Sequence, residues 1–258
     1  MNARDFLVRG LLAGLIAAFV AFGVAYVVGE PPLRAAIAAE EAGGGHSHGG
    51  GEVEEAPAAG EVVVPRSLQS TVGLLTGMLV AGVTLGGLVG VVSAIALGRF
   101  GRLSPRATTL AVAAMGFVAV YAVPFLIYPP NPPAVGSGDT IGMRSGLYFA
   151  LLAISLIAAV TAVLVGRRLA ARLGGWHAAL ASIAGYVVVM LIVMAVLPHY
   201  DEVPDTFPAT ILYEFRQASF LTQFTLWAVL GVTLAELVGR LSGRDASTAQ
   251  RPVAEVRG

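Results

Sequence analysis

PFLIYPPNPPAVGSGDTIGMR, residues 124–144, separates two long apolar runs and decides how the chain is read. Four prolines fall within five residues, Pro129, Pro130, Pro132 and Pro133, and they bracket Asn131. Proline fixes φ, lacks an N–H donor and biases the residue before it away from the α region, so this stretch is rigid and non-helical. Gly136, Gly138 and Asp139 prolong the loop, and Arg144 opens the next apolar run. Its plainest role is to stop one helix and start another. Its more specific role is to hold Asn131, with its side-chain carbonyl, at a fixed place.

Outward from this loop, six apolar segments stand out, at about 6–28, 72–97, 107–128, 145–165, 177–197 and 219–238. Each has about 20 residues or more, enough to cross ~30 Å of hydrocarbon as a helix. Of the 258 residues 56% are hydrophobic and 12% charged, roughly half the charged share of a soluble protein. The expected fold is an all-α integral membrane protein, a single polytopic domain over 1–258. Arg4 and Arg9 precede the first segment as they would a signal peptide. Its apolar run exceeds the usual 7–15 residue signal core, so an uncleaved span is expected. With no cysteine in the chain, disulfides and thiolate metal sites are excluded.

Charge orients these spans. Twelve of the 16 basic residues, all arginine, lie at the N-terminus, in the connections after spans 2 and 4, and in the tail. Twelve of the 16 acids lie in the other three connections. The positive-inside rule then predicts cytoplasmic termini and an acidic outer face. Arginine in place of lysine, with abundant Ala, Gly and Val, suggests a prokaryotic chain and therefore its inner membrane. Residues 35–66 read as a disordered, acidic, His-containing outer loop, and 242–258 as a flexible cytoplasmic tail.

Span 2 carries Gly82, Gly86 and Gly90 at four-residue spacing, a small-residue ridge that lets another helix approach closely. The partner is either another span or another subunit.

The candidate metal ligands lie outside the spans. His46 and His48 stand in GGGHSHGGG, where two imidazoles at i, i+2 on flexible backbone suit capture of a divalent ion. His199, Asp201 and Glu202 form an H-x-D-E cluster beyond span 5, with Glu214 nearby. Glu30, after span 1, and Asn131 are candidates to join the same mouth. Such mixed N/O ligands fit Co²⁺, Ni²⁺ or Zn²⁺ better than Cu⁺. Arg144 and Arg216 are expected to fix these loops by pairing with acids. Inside the spans, Glu236 is positioned to pair with Arg240, and Ser182, Tyr186, Thr222, Gln223 and Thr225 are the polar lining available. The sequence contains no P-loop, G-x-S-x-G, H-E-x-x-H or nucleotide fingerprint, so neither an enzyme nor a nucleic-acid partner is expected.

GEPP at 29–32, YPPNPPAVG at 128–136 with TIGMR at 140–144, and LPHYDEVPDTFPATILYEFRQASF at 197–220 resemble the CbtA family of predicted cobalt transporter subunits. The resemblance covers nearly the whole chain. It implies Co²⁺ as the transported ion rather than a cofactor, a link to cobalamin biosynthesis, and a small His-bearing membrane companion subunit. The family is often described with five spans, whereas charge alternation here favours six. Three functions compete. The first is a cobalt-uptake subunit, with another divalent metal such as Ni²⁺ as its variant. The second is a non-transporting scaffold that uses the glycine ridge as its partner face, or a homo-oligomer. The third is an outer-surface enzyme using Asp201, Glu202 or Glu214.

Overall fold

The computed structural model describes residues 2–43, 65–101, 103–136, 138–200 and 202–249. The described residues are helices and connecting loops, without a strand. Five helical segments are long and apolar enough to cross a bilayer: Ala3–Ala42, Arg66–Ala96, Pro105–Ile127, Gly138–Val196 and Ala209–Leu241. In chain order the helices are α1 (Ala3–Val24), α2 (Glu30–Gly43), α3 (Arg66–Leu68), α4 (Leu74–Ala96), α5 (Pro105–Gly116), α6 (Val123–Ile127), α7 (Ile141–Val196) and α8 (Ala209–Ala249).

The core lies among α1, α4, α5 and α8. Asn2 and Asp5 start α1 with a reciprocal capping box. Its small residues, Gly10, Ala13, Gly14, Ala17, Ala18 and Ala21, then recur on one buried face. That face meets the glycine ridge of α4. A Cβ placed on Gly86 would lie 2.2 Å from the Gly10 carbonyl oxygen, and one on Gly14 would lie 2.1 Å from that of Gly82. The two backbones therefore touch, which only hydrogen side chains allow. Leu226, Leu230, Leu234 and Val238 of α8 fill the centre beside Val112 and Ala113 of α5. The ridge is thus consumed inside the chain, so the scaffold reading loses the face it relied on.

Three π-helical turns interrupt these helices at Ala25–Gly29, Gln69–Gly73 and Phe117–Ala122. Two of them precede proline. A proline cannot donate to the carbonyl four residues back, and a widened turn ahead of it accommodates the missing bond. Hence Pro31 and Pro32 do not end the first helix, as proline leads one to expect; it runs on through α2. Pro124 is likewise buried inside α6. At the remaining turn, Gln69–Gly73, the hydroxyls of Ser70 and Thr71 donate to the Ser67 carbonyl and compete with the backbone.

α7 is 56 residues long but not one rod. Gly174 has φ 76° and ψ 162°, a left-handed conformation suited to glycine. Across it the chain folds back: Ser155 Oγ is 2.8 Å from the Tyr186 hydroxyl, residues that a straight helix would hold about 46 Å apart. Gly166 meets Ser182 in the same way. The segment is therefore a hairpin of two antiparallel arms, 141–173 and 175–196. It touches the remaining helices chiefly through α6 and the π turn before it.

Two segments outside the expected spans differ from expectation. Residues 35–43 of the presumed loop are helical because AAIAAEEA consists of strong helix formers. The first eight residues of the presumed tail likewise continue α8. His46, His48 and Asp201 lie outside the described residues.

Candidate functional site

The end of the bundle that carries the proline loop contains a cavity of about 650 Å³. Its walls come from α6, the proline loop, the start of α7, the α7–α8 connection and α8. Asn131, His199 and Glu202 line it together, although 71 positions separate the first from the last. The proline brackets work as a lever. Tyr128 donates to the Pro198 carbonyl at 2.8 Å, tying the proline loop to the connection after α7. Burial and the neighbouring Tyr200 hold the Tyr128 phenol above its usual value. Arg216 of α8 donates to Asn131 Oδ1 at 2.8 Å.

Glu202 is fixed from the α7 side. Arg144 lies 3.2 Å from one carboxylate oxygen, and the Thr140 hydroxyl donates to the other at 2.5 Å. The Arg144 guanidinium in turn packs where a Cβ on Gly136 would sit, 2.7 Å away, and Gly136 has φ 124°. This position therefore requires glycine twice over. Aromatic rings complete the walls: Tyr121, Phe125, Tyr148 and Phe149. The Tyr121 hydroxyl is buried without a hydrogen-bond partner among the described residues.

A water occupies ~30 Å³, so the cavity has room for an ion with a full hydration shell. It presents an imidazole, an amide oxygen, a carboxylate and phenols, together with the guanidiniums of Arg144 and Arg216 that hold the carboxylate and the amide. Among the described residues, no three His, Asp or Glu side chains are close enough together to hold a metal ion.

The family model described as probable cobalt transporter subunit (CbtA) matches residues 3–239. The chain belongs to the CbtA family. No curated protein and no solved structure matches it. Membership makes it a transporter-subunit membrane protein. Motifs that carried the resemblance now have positions: YPPNPPAVG and TIGMR contribute two walls of the cavity, and His199, Tyr200 and Glu202 supply a third.

In this CbtA-family chain, the remaining expected ligands lie elsewhere. Both Glu30 oxygens accept from Arg66 at 3.0 Å, and Arg34 reaches one of them at 3.2 Å, which pins α2 to α3. Glu214 is exposed on α8 and does not line the cavity. At the opposite end, Glu236 pairs with Arg240, as spacing predicts, and also with Arg106 of α5. Sequence reasoning missed Tyr121 and Tyr148. The four-residue step from Arg144 to Tyr148, one helix face, was the signal available.

Proposed function

We propose that the chain is the membrane subunit of a Co²⁺ uptake transporter serving cobalamin biosynthesis, and that the proline-end cavity is where the ion is received from outside. The carrying observation is the convergence of Asn131, His199 and Glu202 on one cavity in a CbtA-family protein. Six crossings follow from counting the α7 hairpin as two, with both termini cytoplasmic by arginine distribution. The cavity then opens on the acidic face, which concentrates divalent cations. His46 and His48 act as the first catch and Asp201 joins the cavity ligands. A small His-bearing companion subunit hands ions on or energises the step.

The test is ⁵⁷Co²⁺ uptake by proteoliposomes containing this chain, alone and with the companion, with Ni²⁺ and Zn²⁺ as competitors. Saturable, cobalt-preferring uptake is expected, reduced about tenfold or more in a His199→Ala, Glu202→Ala double variant. Uptake unchanged in that variant would remove the cavity from the ion's path. Nickel preference would reassign the ion.

A further inference from the structure

Below the cavity, the seam between α6 and the α7 hairpin holds a second polar cluster. Ser155 is fully buried and donates to the Ala119 carbonyl at 2.8 Å, while its oxygen is also 2.8 Å from the Tyr186 hydroxyl. Ala119 belongs to the π-helical turn Phe117–Ala122. Such a turn alters the helix's own bonding and presents carbonyls to outside donors. Tyr148, in the cavity wall, lies about 10 Å from Ser155 along the same face of α7. Between them stands Leu151, with no exposed surface. Beyond Tyr186, Ser182 lies one turn on and fits into the space left by Gly166.

The other interior seams differ. α1 and α4 meet backbone to backbone at their glycines, and the four-helix core is mainly aliphatic. Its buried hydroxyls include Ser93, Thr108 and Thr109, towards the α4–α5 connection, and Thr222 of α8, and none of these lines the cavity.

We propose that a cation leaving the cavity travels down the α6–α7 seam, with Leu151 as the barrier and the oxygens of Ala119, Ser155 and Tyr186 as the deepest stopping point. This rests on the transport reading above. Carbonyl and hydroxyl oxygens can replace part of a hydration shell without holding the ion as a carboxylate cage would. Irregular backbone within a bilayer is tolerated where it is buried or lines such a route, and unwound carbonyls there are suited to cations. A single leucine closing a polar path is a hydrophobic constriction, which gates by excluding water.

Because the chain has no cysteine, any introduced thiol is the sole one. The experiment uses full-length Tyr148→Cys and Ser155→Cys in proteoliposomes, treated with a cationic, membrane-impermeant thiol reagent. Ile157→Cys, 66% exposed near the same depth, and Val112→Cys, in the four-helix core, are controls. Tyr148→Cys should react fastest, and Ser155→Cys about tenfold faster than either control, rising again when Leu151→Ala is added. Thermal unfolding identifies variants that keep the wild-type transition. A folded Ser155→Cys that reacts no faster than Ile157→Cys overturns the proposal. Labelling requires no transport, so the two readings fail separately. A labelled seam without wild-type Co²⁺ uptake removes the cobalt reading, and uptake with an unlabelled seam removes this route.

Discussion

Glu30 is 5% exposed, and two arginines from different helices share its carboxylate. Its position after span 1 made it a candidate ligand, but its contacts are those of a structural brace. Glu30→Gln removes the charge and leaves arginines that water can reach. The expected cost is about 1–2 kcal/mol, seen as a lower unfolding temperature in detergent, with Co²⁺ uptake retained by the folded fraction. Loss of uptake at a wild-type unfolding temperature would instead make Glu30 an ion ligand. Arg144 and Arg216 show the same division of labour inside the cavity. Pairing with acids was legible for Arg144, which meets Glu202. Arg216 holds the Asn131 amide, because the proline loop brings that side chain to α8.

At the scale of elements, the α1–α4 seam depends on glycine, whereas the outer end of the first α7 arm, around Gly142 and Gly146, does not. Gly86→Leu places a side chain against the Gly10 carbonyl, where even a Cβ would lie at 2.2 Å. The helices must separate, and a cost above about 4 kcal/mol is expected, read as loss of folded monomer in size-exclusion chromatography. Gly146→Leu is the contrast: nothing lies within 4 Å of its Cβ position, so a change within about 1 kcal/mol is expected. Equal damage from both would mean that the first arm of α7 is covered by a partner. The glycine spacing announced close packing in advance. It could not say that α1, rather than another subunit, supplies the opposing face.

For the whole molecule, the issue is how many times the chain crosses. The fold-back at Gly174 divides one apolar helical segment into two arms, each long enough to span. In right-side-out vesicles, Gly138→Cys in the proline loop should label with an impermeant reagent. Gly175→Cys should label only after the vesicles are opened, a contrast of about tenfold or more given the bilayer between them. Labelling of both from one side would make the hairpin re-entrant and leave four crossings.

Composition and run length alone determined that the chain is helical and membranous, because a bilayer admits no unpaired backbone and demands about 20 apolar residues per crossing. The motifs determined its family, and the arginine pattern set the expected orientation. Tertiary structure decided what each polar residue does. Glu30 became a brace, while Tyr121, Tyr148 and Ser155 became walls of a cavity and of the seam below it. The physical reason is that a side chain's role depends on which distant group meets it. Those meetings follow from helix crossings at glycine, π turns before proline and the fold-back at Gly174. Spacing along one chain fixes none of these three.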